Sequence, residues 1–409
     1  MLKTLKDLNL TKVFLLAILL RVLIMPFYFH PDIKTYNFQS SFLKNGVFNI
    51  YNYLVVNKDL LPIREDFVYF PLTYFTLGTY QVIISPLLGP NFTSWISDAS
   101  ATAAQRIGTF RYLFLLKLPY LIVDLVVPFL LIKFFDSDIQ KRKAFILWLF
   151  NPISIAIIYI FSNVDIFPVA LSLLSIWLFQ TKKYLLGFTI LGISVGFKAY
   201  PILFLPFLFL FIKSPKQKVK LLVVLTAVVG LIIAPFISSA FINSAVLSSL
   251  TTRLAFPGIG IGFGESLMIG IISLVVLFFT AYLKKNDRLN SVQYYITALL
   301  LLLFSTIHYH IQWLLWIMPF VIFISILHSN LSKLIWIWAF LACLIPILYD
   351  DKSMSISLLS TISPLYNLLP TPFLVLERIY DPFLLQGIIH SLLFSIAAIL
   401  VWRSLQYND

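Results

Sequence analysis

From one end to the other this chain repeats a single device: a run of roughly 20 mostly apolar residues, closed by a short cluster of Lys, Asn, Asp or Pro. A coiled run of that length matches the hydrocarbon thickness of a bilayer. Inside lipid every backbone N–H and C=O must be satisfied within the segment, so each run is expected to be a helix. The expected fold is all-α, a polytopic membrane helix bundle, and a make-up of 60% hydrophobic and 11% charged residues agrees. The net charge of +13 raises nucleic acid as a partner, but no Lys/Arg stripe stands clear of the apolar runs, so the expected partner is the lipid bilayer. Cys343, the one cysteine, permits no intrachain disulfide.

About twelve crossings are expected, near residues 10–29, 112–134, 144–161, 166–181, 184–198, 201–213, 220–237, 266–283, 292–308, 312–328, 333–349 and 384–402. Lys3, Lys6 and Lys12 precede the first run as in a signal peptide, yet Arg21 interrupts it and Met25 to Phe29 offers no small-residue cleavage site. No linker marks a second unit, so 1–409 reads as a single integral membrane domain. Residues 30–68 form a long outer loop rich in Tyr, Phe and Asn, expected to carry amphipathic surface helices. The run 69–89 holds Pro71, Thr73, Thr76, Gly78 and Gln81 and is either a re-entrant or an extra membrane segment. Basic residues favour the cytoplasmic side of short loops. If 69–89 does not cross, Lys141-Arg142-Lys143, Lys182-Lys183, Lys213 to Lys220 and Lys284-Lys285 all fall inside, together with both termini. The outer face then collects the polar words of the sequence.

Those words carry the candidate chemistry. Asp32, in His30-Pro31-Asp32, is placed to act as a general base toward an acceptor hydroxyl, or else caps the helix that follows. Lys198, in Lys198-Ala199-Tyr200-Pro201, suits a phosphate as a point charge, or else snorkels to the interface. Arg253 heads a loop with glycines at 258, 260, 262 and 264, whose N–H groups either line an anion site or simply make a flexible loop. His308 and His310 lack a third ligand nearby in sequence, so no metal site is assigned, and His310 with Gln312 reads as a hydrogen-bonding cluster. Trp313 and Trp316 read first as interface-belt residues and second as a carbohydrate platform. Lys117 and Asp124 share one helical face, and a buried acid needs a partner, which Arg21 or Lys117 supplies as structural ion pairing.

Taken in order from about residue 10 to 320, these words resemble the GT-C superfamily of membrane glycosyltransferases, which use polyprenyl-phosphate sugars. His30-Pro31-Asp32 is similar to the His-Pro-Asp start seen in some of its mannosyltransferases, and Tyr69-Phe70-Pro71-Leu72 to the aromatic-Pro segment that follows. Leu149-Phe150-Asn151-Pro152 with Ser162-Asn163-Val164-Asp165 looks like the Asn-Pro helix and the polar turn after it. Lys198-Ala199-Tyr200-Pro201 is close to a Lys-x-Tyr-Pro word of the first mannosyltransferases of GPI-anchor synthesis, and His310 to Trp316 resembles a polar-aromatic, Leu-Trp word.

The resemblance implies a GT-C-like bundle with a long first outer loop and an active site at the outer or lumenal face. It implies inverting transfer of a sugar, a mannose-like hexose, from a polyprenyl-phosphate donor to a hydroxyl acceptor on a lipid-linked glycan or protein. Asp32 would be the base, Lys198, Arg253 and His310 would hold the donor phosphate, and His30, Tyr69, Asp165, Tyr200 and Gln312 would bind substrate. Lysine at position 34 removes the Asp-x-Asp pattern of the GPI enzymes, so the cofactor is undetermined and a divalent metal is left open. The competing class is a transporter or flippase of lipid-linked sugars, for which midplane charges and inverted repeats are expected.

Overall fold

The computed structural model describes residues 9–100, 102–247, 258–284 and 292–406, whose regular structure is helical apart from one two-stranded hairpin. In chain order the helices are α1 (Leu10–Ile24), α2 (Pro31–Ser41), α3 (Ile50–Val56), α4 (Pro71–Leu88), α5 (Phe92–Ile96), α6 (Thr109–Leu131), α7 (Asp138–Leu149), α8 (Pro152–Ile155), α9 (Ile166–Gln180) and α10 (Tyr184–Val195). There follow α11 (Leu205–Leu210), α12 (Pro215–Ile233), α13 (Ser239–Phe241), α14 (Ile269–Lys284), α15 (Val292–Thr306), α16 (Met318–Leu327), α17 (Ser329–Ile347), α18 (Pro372–Leu376) and α19 (Pro382–Gln406).

Five stretches are long and apolar enough to cross a bilayer unaided: Thr109–Phe134, Asp138–Ile160, Pro215–Phe236, Ser329–Ile347 and Pro382–Ser404. Shorter apolar helices stand at most of the other expected crossings, where proline or glycine cuts the run, as Pro201 and Pro206 do within Tyr200–Leu210. Large apolar side chains stay exposed on outward faces, among them Leu15, Leu19 and Leu23 of α1, Val223 and Leu231 of α12, and Val275 and Phe279 of α14. Helices that face lipid need that pattern. The fold is that of an all-α, multi-pass membrane protein.

One departure is the glycine-rich segment after residue 257. It is neither a loose loop nor an anion cradle but an antiparallel hairpin, β1 (Gly258–Gly262) and β2 (Glu265–Met268), exposed along its length. Phe263 (φ 49°) and Gly264 (φ 84°) at its tip are both left-handed, the requirement of a two-residue turn that matches strand twist.

Two contacts set the geometry of the first loop. Gly78 of α4 lets that helix meet α2 closely, since a Cβ there would lie 2.8 Å from the Ser40 carbonyl and from Leu43. Both ends of α4 are tied to neighbouring helices. Its start bonds the end of α10, through Phe70 N–H to Phe197 O (3.1 Å) and Leu72 N–H to Gly196 O (3.0 Å). Its end accepts from Arg111 at the start of α6, Nη2 to Leu88 O at 2.8 Å.

The bundle holds a fully buried charge cluster. The Arg21 Nε stands 2.5 Å from Asp124 Oδ2, and Asp124 also accepts from Tyr159 OH (2.7 Å) and Trp148 Nε1 (2.8 Å). Arg21 Nη1 donates to the Leu149 carbonyl at 2.8 Å, beside the break that Asn151-Pro152 makes between α7 and α8. Lys117, by contrast, has no acid: its ammonium donates to the carbonyls of Met25, Tyr28 and Tyr159 at 2.7 to 2.8 Å. It satisfies oxygens left open where α1 stops before the loop, the service a basic residue gives a helix C-terminus. Of the two basic residues that could pair with Asp124, Arg21 does so.

Removing one member of a buried, hydrogen-bonded pair costs about 3 to 5 kcal/mol, because the other charge is left stranded. Asp124→Ala is therefore expected to lower the thermal unfolding midpoint in detergent strongly. The double change Arg21→Met with Asp124→Leu should recover most of that loss; a double variant as unstable as the single would refute the pairing.

Candidate functional site

Several connections between helices converge on one cavity of about 540 Å³, with His30, Asp32, Tyr69, Lys198, His310 and Gln312 in its wall. Six of the sequence-derived candidates, spread from residue 30 to residue 312, thus meet. Each is brought there by a local cause. Met25 ends α1 just before Pro26, and the chain re-enters helix at Pro31, where proline at the first helical position has no N–H to satisfy. His30 is the N-cap of α2: its Nδ1 accepts from the Asp32 N–H at 3.2 Å. That bond places the ring proton on Nε2, which is buried without a hydrogen-bond partner.

Asp32 therefore does not cap the helix; His30 does. Its carboxylate projects from the first turn of α2, where the aligned peptide dipoles favour a negative charge. Gln312 Nε2 donates to Asp32 Oδ2 at 2.8 Å and fixes its orientation. Among the described residues no donor is recorded on Oδ1, so that oxygen is free to accept a proton. A carboxylate held through one oxygen and open at the other is what a base needs.

Lys198 does not snorkel. Its ammonium is bound by both oxygens of the fully buried Asp165, at 3.0 and 2.8 Å, and lies over the rings of Tyr69 (4.8 Å), Trp316 (5.1 Å) and Trp313 (5.5 Å). Trp316 Nε1 donates to the same Asp165 oxygen at 2.7 Å, and Tyr200 stacks flat on Trp316 at 4.0 Å with 4° between the rings. Asp165 and Tyr200 thus stand behind the wall and hold it, rather than in it. Both tryptophans are buried, Trp316 at 1% exposed and Trp313 at 9%, so neither is an interface-belt residue; Trp313 lines the cavity, and the two indoles stack at 5.4 Å. The turn that delivers Asp165 is irregular. A π-turn over Ala156–Ile160 runs into Ser162 at φ 57°, a left-handed position that side chains rarely adopt, and Asn163 Oδ1 then accepts the Asp165 N–H at 2.6 Å.

Arg253, the remaining candidate, lies outside the described residues. No metal-ligand set forms: among the described residues no three His, Cys, Asp or Glu groups stand close enough to hold an ion. Sequence reasoning missed the wall supplied by the last outer connection, Asp351, Ser353 and Met354, together with Tyr36 and Glu65. The acid pair Asp350-Asp351 was the signal available, but its approach depends on contacts far apart in sequence. Phe29 N–H bonds Leu358 O (3.0 Å), Thr361 Oγ1 bonds Phe27 O, and Tyr349 OH bonds Tyr309 O (3.0 Å).

Sequence comparison adds a partial likeness. Over 98 residues, 23% of this chain and 24% of the other, it is 31% identical to GPI mannosyltransferase 1 of Saccharomyces cerevisiae. The likeness is to a mannosyltransferase. The matched stretch spans about a quarter of that curated relative, no family model matches, and no solved structure matches.

Next to Asp32 on α2, Lys34 is buried, donates to the Asp98 carbonyl and lies 5.3 Å from the Trp95 ring centre. Burial pushes its pKa down to about 8, against the neighbouring Asp98 charge that raises it. The unfolded chain holds that proton up to the free-lysine value near ~10.4. Between about pH 8 and that value the unfolded state binds more protons, so Lys34 makes stability rise with pH across this window and adds no slope below it. Thermal midpoints measured from pH 7 to 10 should rise less in Lys34→Met than in the natural chain; identical slopes would refute the assignment.

Proposed function

We propose that the protein is a membrane glycosyltransferase that moves a sugar, a mannose-like hexose, from a polyprenyl-phosphate donor to an acceptor hydroxyl at the outer or lumenal end of the bundle. The observation that carries this reading is Asp32, gripped through one oxygen by Gln312 and open at the other, in a cavity walled by stacked aromatic rings. The partial likeness to a mannosyltransferase supports it.

In this reading Asp32 Oδ1 takes the proton of the acceptor hydroxyl while its oxygen attacks the anomeric carbon from the face opposite the phosphate. The bond from that carbon to the phosphate oxygen breaks, the electron pair leaves with the lipid phosphate, and configuration inverts. Trp313 offers a flat apolar surface to a sugar ring. His310 and Arg253 would offset charge on the departing phosphate. The Lys198 charge is already matched by Asp165, so Lys198 acts as part of a neutral, rigid pair, with its ammonium shaping the wall.

The test is sugar transfer by the purified protein in detergent with a panel of polyprenyl-phosphate sugars. Asp32→Asn should lower kcat by about 10² to 10⁴, the usual worth of a positioned base, with donor binding retained. Gln312→Leu should reduce kcat less, since it frees the carboxylate without removing it. Absence of transfer from every donor, with movement of lipid-linked sugar across liposomes that survives Asp32→Asn, would instead establish a transporter.

A further inference from the structure

A second and larger cavity, about 860 Å³, adjoins the first and shares Pro31, Glu65 and Ser353 with it. Three cations from three different elements face this space: Lys34 from α2, Arg64 from the extended chain after α3, and Lys352 from the last outer connection. Among the described residues, the hydrogen bonds of each go to backbone carbonyls. Lys34 donates to Asp98 O, Arg64 Nη2 to Asp59 O at 3.4 Å, and Lys352 Nζ to Asn367 O at 2.7 Å. Of the two acids in the wall, Asp98 is already engaged by Arg106 at 2.6 Å, which leaves Glu65. Lys34 is the telling member, because it is 4% exposed, its hydrogen bond goes to a carbonyl, and the acid beside it, Asp98, is shared with Arg106.

The rest of the wall is neutral and polar, with hydroxyls of Thr35, Ser100, Ser353, Ser357 and Ser360. A cavity rich in hydroxyl groups and enclosed by positive charge matches a ligand with both alcohol and anionic groups. The cations surround the space from separate walls instead of forming one planar fork, which suits a tetrahedral anion better than a carboxylate.

We propose that this second cavity is the acceptor site and that the acceptor is a phosphate-bearing polyol, whose hydroxyl reaches Asp32 across the shared rim of Pro31, Glu65 and Ser353. This rests on the transferase reading. Asp32 and Lys34 lie within one turn of the same helix, so the phosphate and the reacting hydroxyl are held in fixed relation by α2.

The experiment uses the full chain in nanodiscs and the double variant Arg64→Gln with Lys352→Gln, two exposed residues whose loss does not strand a buried charge. Binding of glucose 6-phosphate and of methyl glucoside is read by equilibrium dialysis, independently of transfer. Glucose 6-phosphate should bind in competition with the acceptor and not with the donor, methyl glucoside should not bind, and the double variant should weaken phosphate binding about tenfold or more. In the transfer assay the variant should raise the acceptor KM by a similar factor and leave kcat and the donor KM in place. Competition by phosphatidylglycerol nanodiscs as well as by glucose 6-phosphate would assign a lipid-borne acceptor; competition by the soluble probe alone would assign a soluble one. Equal binding of the two sugars, phosphate binding unchanged in the variant, or competition with the donor would overturn the proposal. If transfer fails while phosphate binding is lost in the variant, the anion site stands and the transferase reading falls.

Discussion

A charge placed among apolar helices has to meet an opposite charge or a set of carbonyls there, because the bilayer supplies no water to do it. Two such meetings shape this molecule at different depths. The deeper, Arg21 with Asp124, joins α1 to α6 and is braced by Tyr159 and Trp148 from the broken helix α7–α8. The shallower, Lys198 with Asp165, joins the end of α10 to the start of α9 and carries the aromatic wall on its back. The first fixes where α1 ends, and hence where His30 caps α2 and Asp32 emerges. The second fixes the surface that Asp32 faces. Neither pair is there chiefly for stability, since apolar replacements of equal volume can be as stable; their worth here is that each has one geometry.

Much of the site could be read from local sequence because its members sit in words with their own structural reason. Proline after a histidine, an aromatic or an asparagine marks a helix start here, at Pro31, Pro71 and Pro152, and the residue beside it is then placed on a first turn. What could not be read is pairing over distance. Lys198 looks alike in sequence whether it meets a phosphate or a carboxylate, and the acid that meets it lies 33 residues back. Asp124 likewise had two basic residues in prospect, and only packing decided for Arg21. Trp313 and Trp316 follow the pattern of interface tryptophans, yet the 3₁₀ turn over Ile311–Trp316 carries them inward to stack on Lys198 and Tyr200. The glycine alternation at 258 to 264 is a strand signal only once its two left-handed tip residues are known.

The charge distribution around Asp32 is uneven in a useful way. The first cavity gathers Asp32, Glu65 and Asp351, with its lysine already matched, while the adjoining one gathers three cations with one free acid. Glu65 and Ser353 form the boundary between them. An anionic group is therefore drawn more strongly to the second cavity than to the first, an arrangement that orients a ligand without any contact at the reacting atom.

The last outer connection bears on how the chain is made. Ser353 closes both cavities, and Leu358 and Thr361 are stitched to the corner between α1 and α2, more than 300 residues earlier. During synthesis the first loop must wait, its polar side chains open to water, until nearly every helix has been inserted. Assembly therefore ends at the same place where it began, and the walls of both cavities are complete only once the closing segment is in place.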